Sequence, residues 1–222
     1  MPYRRTPHIV RKQTARRLAI VAAARAAAEE GGMAALQVAT VAERAGIATG
    51  TVYRYFPSKA ELVTALVGAM AEREIAAIGK AGKAAPGPLS ALAATIATFA
   101  ARALRQRKLA WALIADPAET EAEGVRLAFR RALADEFHTR IAAAMQAGYL
   151  PAQDVRLAAA ALVGALLEGL IGPLAPDSHD DPARTRDAVQ ALTLLSLRAL
   201  GVVDARARGL VVQIALPAAE EG

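Results

Sequence analysis

Hydrogen-bonding side chains are concentrated in one short segment of the chain, between residues 49 and 54. Thr49, Thr51, Tyr53 and Arg54 all fall within it, and no acidic residue interrupts them. Arginine binds guanine in a bidentate manner, while hydroxyl groups bond to base edges or to phosphates. These residue types at this spacing predict the outer face of a helix that reads a DNA major groove.

The surrounding residues predict two short helices that meet at a tight turn. We expect the first helix over residues 39–45, the turn over residues 46–48 and the second helix over residues 49–56. Gly46 suits the end of the first helix, because glycine adopts the left-handed conformation needed there without strain. A small shared core is predicted from five apolar residues: Val41, Ala42, Ala45, Ile47 and Val52.

The segment at residues 40–62, TVAERAGIATGTVYRYFPSKAEL, resembles the helix-turn-helix signature of the TetR family of transcriptional regulators. The matching residues are Val41-Ala42, Ala45-Gly46-Ile47, Gly50-Thr51-Val52-Tyr53 and Tyr55-Phe56-Pro57-Ser58-Lys59. Two positions depart from the family pattern. Gln37 stands where the family usually has a Ser or Thr N-cap, with Thr40 as a partial substitute, and Thr49 stands where many relatives have lysine. Both departures bear on which operator is bound and how tightly.

The resemblance implies an all-α homodimer with an N-terminal three-helix helix-turn-helix domain and a larger C-terminal helical bundle. It also implies a DNA-contacting set that includes Gly50. In this set Thr49, Thr51 and Arg54 contact base edges or nearby phosphates, while Thr40, Tyr53 and Lys59 hold the backbone. Tyr55 is expected to prop the recognition helix from behind. Two recognition helices of a dimer, about 34 Å apart, would enter successive major grooves of a palindromic operator.

The excess of positive over negative charge lies in the part of the chain that carries this motif. The net charge is +6, and residues 1–60 hold ten Lys or Arg against three Glu. Such an excess beside a DNA-reading motif favours phosphate binding, although a solvated basic tail is the alternative for the first residues. We expect residues 1–10 to form a disordered arm from which Arg4 and Arg5 reach along a groove.

The hydrophobic pattern and the turn signals divide the chain into four parts. We expect an arm at residues 1–10, a helix-turn-helix domain at 11–60, a helical effector-binding and dimerisation domain at 61–201, and a tail at 202–222 whose structure the pattern does not assign. The fourth helix is predicted to begin at Pro57 and run to about residue 78, before a break at 79–88. Later helices are expected at residues 89–115, 119–147, 153–171 and 182–200.

The last two of these helices are candidates for the dimer interface. The helix at residues 153–171 is apolar nearly all round, so it must be buried on several sides. The resemblance implies that both helices pair with their copies as a four-helix interface, and burial within one chain is the alternative. The candidate interface residues are Leu162, Leu166, Leu170, Val189, Leu192, Leu195 and Ala199.

The middle helices are expected to enclose a pocket for a small apolar effector. Such pockets are mostly apolar with a few placed polar groups, and ordinary core packing is the alternative for each residue. The candidate lining comprises six apolar or aromatic residues and one polar side chain: Phe99, Trp111, Phe129, Phe137, Met145, Tyr149 and His138.

The composition gives no support to an enzyme or a metalloprotein. The chain has no cysteine and only three histidines, and it contains no HExxH motif, no phosphate-binding glycine loop and no nucleophile–base constellation. We expect no cofactor, no membrane span and a cytoplasmic location. The sequence therefore predicts a regulator, most readily a repressor released by an effector. The first alternative is an effector-independent DNA-binding or chromosome-organising protein of the same fold. The second, which the sequence favours much less, is an all-helical enzyme.

Overall fold

The computed structural model of the protein describes residues 7–114, 122–172, 174–175 and 182–214. Within these ranges it is helical and contains no strand, which confirms the predicted all-α class. The helices are α1 (Pro7–Gly31), α2 (Val38–Arg44), α3 (Thr49–Tyr55), α4 (Lys59–Ala84), α5 (Pro88–Arg105), α6 (Arg107–Ile114), α7 (Glu123–Gln146), α8 (Val155–Leu170), α9 (Pro182–Ala199) and α10 (Asp204–Gln213). A single 3-10 turn, Met33–Ala35, joins α1 to α2.

The first three helices form the N-terminal unit around a small apolar core. α1 packs against α2 and α4, while α2 packs against α3. Ile20, Ala24 and Leu36 are fully buried between them. α1 begins at Pro7, so residues 7–10 are helical and do not belong to the disordered arm that the sequence suggested. Arg4 and Arg5 lie outside the described residues.

Helix α4 connects the N-terminal unit to the rest of the molecule. It begins at Lys59 and not at Pro57, because the Ser58 Oγ caps it by accepting a hydrogen bond from the Glu61 amide at 3.1 Å. It also runs on to Ala84, so the predicted break from residue 79 is wrong. Gly79 and Gly82 are buried inside the helix. Their packing against neighbouring helices outweighs the weak helix propensity of glycine.

The remaining helices form the larger C-terminal unit. α4 packs between α5 and α7, α7 packs on α8, and α5 packs on α9. The helix predicted at residues 89–115 is divided in two, because the backbone bends at Gln106 (φ −127°, ψ 52°). That bend directs α6 back towards α1 and α4, which both contact it. None of the helices in the described ranges is long and apolar enough to cross a membrane.

The expected tail contains a helix, α10, which packs on α9 and α5. Ala207 and Val211 are the buried residues of α10. The Arg206 guanidinium lies 4.2 Å from the centroid of the Tyr149 ring, at the end of α7. Asp204 accepts a hydrogen bond from the Arg198 Nε at 2.6 Å. These contacts fasten the described part of the tail to the bundle.

Candidate nucleic-acid interface and ligand cleft

The turn between α2 and α3 has the geometry that the sequence predicts. Gly46 has a φ of +62°, and its amide donates to the Glu43 carbonyl at 3.0 Å. Val41, Ala42 and Val52 are buried, and the half-buried Ala45 and Ile47 pack against them. The five-residue core is therefore confirmed. It holds α3 at a fixed angle on α2, as a recognition helix requires.

The outer face of α3 presents the expected hydrogen-bonding groups. Thr49, Tyr53 and Arg54 are exposed, with 46% of Tyr53 accessible, and Thr51 is half-buried. Gly50 is exposed between them, and a Cβ built on it would meet nothing within 4 Å. This face is hydroxyl-rich and positively charged, and it carries no acidic residue.

Tyr55 points in the opposite direction from Tyr53. It is half-buried and packs against the core, so the expectation that it props the helix is confirmed. The Arg54 guanidinium lies 5.9 Å from the centroid of the Tyr55 ring, at the outer limit of a cation–π contact. Thr40 and Lys59 flank α3 on α2 and α4, and both are half-buried.

Two contacts from α1 support the motif from behind. The Arg17 guanidinium lies 4.4 Å from the centroid of the buried Phe56 ring, directly after α3. Arg44 on α2 forms a bidentate ion pair with Glu30 on α1, in which Nη1 donates to Oε1 at 2.8 Å. That hydrogen bond and the arginine charge lower the pKa of Glu30 below its ordinary value of 4.5. Hydrogen bonding to Glu30 likewise raises the pKa of Arg44.

The first turns of α1 form a basic extension. No side chain described between residues 8 and 19 is buried, so this part of the helix projects beyond the core. It carries four basic side chains and no acidic one: Arg11, Lys12, Arg16 and Arg17. A helix exposed all round gains little stability from packing. Its charge suits contact with phosphates.

A cleft opens where α1, α4, α5 and α6 meet. It has about 490 Å³ of empty space, open solvent at its mouth included, and a narrow interior. Met70, Phe99 and Leu109 contribute apolar surface. The polar lining consists of three arginines, one glutamate and one glutamine: Arg25, Arg73, Arg102, Glu74 and Gln106.

One ion pair dominates the wall of this cleft. Arg102 on α5 donates from Nε and from Nη2 to the two carboxylate oxygens of Glu74 on α4, at 2.8 Å each. The two side chains are only 12% and 20% exposed. Beside them, Gln106 Nε2 donates to Oε1 of Glu29 at 3.4 Å, and the same oxygen accepts from Arg25 Nε at 2.7 Å. The cleft is thus joined by polar contacts to α1 of the N-terminal unit.

Of the seven residues predicted to line an effector pocket, Phe99 alone lines this cleft. Phe129 and Phe137 are buried in the core around α7, and Trp111 and Met145 pack against that core half-buried. His138 is half-buried, while Tyr149 is 37% exposed and stacks with Arg206. Aromatic residues also fill space between packed helices, and the fully buried Phe129 and Phe137 do so here. The polar lining was missed, because no local spacing indicates that residues from α1, α4 and α5 converge.

The predicted dimer residues fall into two groups. Leu162, Leu166, Leu170 and Val189 are at most 5% exposed within one chain, so they pack in its own core. Leu192 is half-buried, while Leu195 and Ala199 are exposed. The outer face of α8 instead presents Leu157, Ala160, Ala161, Gly164 and Ala165. Apolar residues on both faces of α8 concealed from the sequence which face is turned inward.

Groups of His, Asp, Glu or Cys that could hold a metal ion are absent from the part of the chain that the structure describes. His8 lies exposed on α1, far in sequence from the half-buried His138 on α7. His179 is outside the described residues. The described histidines therefore form no shared site.

A family model described as bacterial regulatory proteins of the tetR family matches residues 20–66, the segment from α1 to α4. The HTH-type transcriptional repressor KstR of Rhodococcus jostii is 51% identical over 75 residues, which are 34% of each chain. KstR of Mycobacterium tuberculosis is 48% identical over 56 residues, 25% of this chain and 26% of the relative. The chain thus matches about a third or less of the length of these relatives.

Solved structures resemble the fold over most of its length. RolR in complex with resorcinol gives a TM-score of 0.68 at 24% identity, covering 94% of this chain and 98% of that one. FadR from Bacillus subtilis in complex with stearoyl-CoA gives a TM-score of 0.64 at 22% identity, covering 79% and 97%. At these identities the likeness establishes the architecture of both units and no ligand.

Proposed function

We propose that this chain, whose residues 20–66 match the model of the TetR family of regulators, is a homodimeric DNA-binding repressor of that family that a small molecule releases from its operator. The observation that carries the proposal is the outer face of α3, where Tyr53 and Arg54 are exposed on a rigidly packed helix. The helix-turn-helix relatives with about half of their matched residues identical carry the name of repressors.

DNA recognition is assigned to α3 and to the elements beside it. Arg54 and Thr49 contact base edges or nearby phosphates, while Tyr53 and Lys59 hold the backbone. The basic extension of α1 adds contacts that position the protein without reading sequence. An arm carrying Arg4 and Arg5 fits the same role.

A two-fold dimer is needed to bring two α3 helices to successive major grooves. We assign the interface to the exposed apolar faces of α8 and α9. Small residues at 160, 161, 164 and 165 on α8 allow close approach of a second helix, and Leu195 projects from α9 with 59% of its surface exposed. Such an unpartnered apolar surface on one protomer is typical of an interaction site.

The cleft between α1, α4, α5 and α6 is the candidate effector site. Its narrow interior means that a ligand must displace part of the wall, and α4 and α6 in that wall lead to the N-terminal unit. A ligand that binds the displaced arrangement better shifts the protein away from the DNA-binding form. The charged lining argues against the purely apolar effector that the sequence suggested.

The test is a gel shift with the DNA upstream of the gene, using wild type, Tyr53→Ala and Arg54→Ala at two salt concentrations. Tyr149→Ala and Arg131→Ala are the matched controls, because these exposed residues lie on or just after α7. We expect a discrete, competitor-resistant complex that both α3 substitutions weaken by about tenfold or more and the controls leave unchanged. Diffuse binding that none of the four substitutions changes and that modest salt abolishes would overturn the assignment of DNA recognition to α3.

A DNA-binding protein that needs no effector would give the same gel-shift result. The two possibilities separate when small molecules are added to the complex. Release by a compound that binds the free protein supports the repressor proposal. Binding of such a compound with no effect on the gel shift would favour a DNA-organising protein of the same fold.

A further inference from the structure

We propose that the cleft between α1, α4, α5 and α6 binds an amphipathic carboxylate, in which the carboxylate group takes the place of Glu74 on Arg102 and an apolar body lies against Phe99. The proposal that the ligand binds is argued only from the residues that line the cleft. The consequence for DNA rests on the proposed function.

The charges that line the cleft select the sign of the ligand. Arg25, Arg73 and Arg102 line it together with one acidic side chain, Glu74. Glu29, which pairs with Arg25 beside the cleft, brings the count to three arginines against two carboxylates. An ammonium group would therefore enter a region of net positive charge. A wholly apolar molecule would cover charged groups without pairing them, which is unfavourable. A carboxylate has the charge opposite to that of the arginines and can pair with them.

The Arg102–Glu74 pair shows that the site already accommodates a carboxylate. The guanidinium binds both oxygens of Glu74 at 2.8 Å, the bidentate arrangement that suits this group best. A ligand carboxylate can adopt the same arrangement on Arg102, and the displaced Glu74 carboxylate must then turn into the solvent at the mouth of the cleft. The favourable free energy of this exchange then comes from the apolar body, which covers Met70, Phe99 and Leu109.

The position of Gln106 links this exchange to the DNA-binding unit. Gln106 lies at the bend between α5 and α6, one turn after Arg102, and it lines the same cleft. Its amide contacts Glu29 of α1, which also holds Arg25. A ligand bound to Arg102 must displace Gln106 from its contact with Glu29, because the interior of the cleft is narrow. The proposed switch is thus a local change of ion pairs with a mechanical connection to α1.

The first experiment compares ligands that differ only in the polar group. Decanoate, decanol and decylamine, and likewise cinnamate, cinnamyl alcohol and cinnamylamine, are titrated into the full chain by calorimetry in the absence of DNA. We expect the carboxylate of at least one set to bind about tenfold or more tightly than its alcohol, and the amine to bind weakest. An alcohol that equals its carboxylate in both sets, or an amine that binds tightest, would overturn the proposal.

Substitutions then locate the carboxylate. Glu74→Gln removes the competing group, so we expect the affinity for the carboxylate to rise by about tenfold. The double variant Glu74→Gln, Arg102→Gln should bind carboxylate and alcohol equally. The matched control is Glu136→Gln, Arg140→Gln, which removes a pair of similar burial, 19% and 15% exposed, that does not line the cleft. It should leave both affinities unchanged.

Two outcomes of this series count against the site. If Glu74→Gln leaves the carboxylate affinity unchanged or lowers it, the proposed exchange is wrong. If the control pair keeps the fold by circular dichroism and still affects binding as much as the cleft pair, the ligand lies elsewhere. If circular dichroism shows that the double variant does not fold, the affinity measured for Glu74→Gln alone decides whether the ligand carboxylate replaces Glu74.

The gel shift separates this inference from the proposed function. Selective carboxylate binding without any discrete DNA complex would uphold the site and refute the regulator. If the protein forms a specific DNA complex but binds none of the carboxylates, and none of them dissociates that complex, the regulator is supported and the carboxylate site is refuted.

Discussion

The guanidinium of Arg140 on α7 lies directly over Gly82 on α4. A Cβ built on Gly82 would stand 2.8 Å from the Nε of Arg140 and 2.6 Å from the Oγ1 of Thr95 on α5. The same arginine donates from Nη2 to the Gly79 carbonyl at 3.4 Å and from Nε to Glu136 at 2.9 Å. The two glycines therefore make the space in which α7 and α5 both approach α4.

We expect Gly82→Ala to destabilise the protein by about 1–3 kcal/mol, because the added methyl group forces Thr95 and Arg140 to move. Thr95 is fully buried and bonded to the Ala91 carbonyl at 2.9 Å, so it cannot give way easily. Thermal unfolding followed by circular dichroism measures the change. Gly68→Ala is the control: its Cβ would meet only the Val125 Cγ1 at 3.8 Å, and we expect no loss of stability. Equal losses at both positions would contradict this account.

These glycines also mark where reasoning from sequence fails. Glycine is usually a sign that a helix ends, and the break predicted from residue 79 followed that rule. The side chains that pack on Gly82 and reverse this rule come from other helices, Thr95 from α5 and Arg140 from α7. Gly46 shows the opposite case, because its left-handed conformation is required by a turn only a few residues long. Local requirements can be deduced from sequence, whereas requirements set by packing cannot.

The same distinction separates the two sites. The outer face of α3 was predictable, because one short helix carries its residues and a compact motif fixes its orientation. The cleft was not, since its polar groups come from α1, α4 and α5 and meet only in the folded chain. The faces of α8 were also undetermined, because Leu162 and Leu157 are equally apolar but only the first is buried.

We expect the contact between α1 and α2 to weaken in acid. The ion pair with Arg44 lowers the pKa of Glu30 below 4.5 in the folded protein. The pair therefore adds stability above the pKa of the unfolded chain, and this contribution is lost as the pH falls through the folded value. Denaturant unfolding at neutral pH and at about pH 3 should show a larger loss for wild type than for Glu30→Gln.

A control is needed because acid affects every carboxylate. Glu72→Gln, at an exposed position on α4, should lose as much stability in acid as wild type does. If Glu30→Gln and Glu72→Gln have the same pH dependence as wild type, the Glu30–Arg44 pair contributes nothing measurable. That result is common for exposed ion pairs, so the comparison is a real test.

The basic extension of α1 is expected to bind DNA without reading its sequence. Lys12→Ala and Arg16→Ala should each weaken binding to operator and to unrelated DNA by similar factors. Each should also reduce the slope of log affinity against log salt by about one, since one fewer counterion is released. Titrations at several salt concentrations measure the slope. Arg131→Ala on α7 should leave it unchanged, and a loss confined to operator DNA would mean that the extension reads bases.

The exposed faces of α8 and α9 are expected to meet their copies across a two-fold axis. In such an interface each residue near the axis lies close to its own copy, so one substitution places two like charges together in an apolar setting. Ala161→Glu on α8 and Leu195→Glu on α9 should therefore weaken dimerisation by about tenfold or more, as measured by sedimentation. Both variants should also bind a palindromic operator less tightly. Val212→Glu is the matched control, because Val212 is 79% exposed and lies on α10, outside the two helices assigned to the interface. If the control dissociates the dimer while the other two leave it intact, the interface lies on α10, and the pairing of α8 and α9 is wrong.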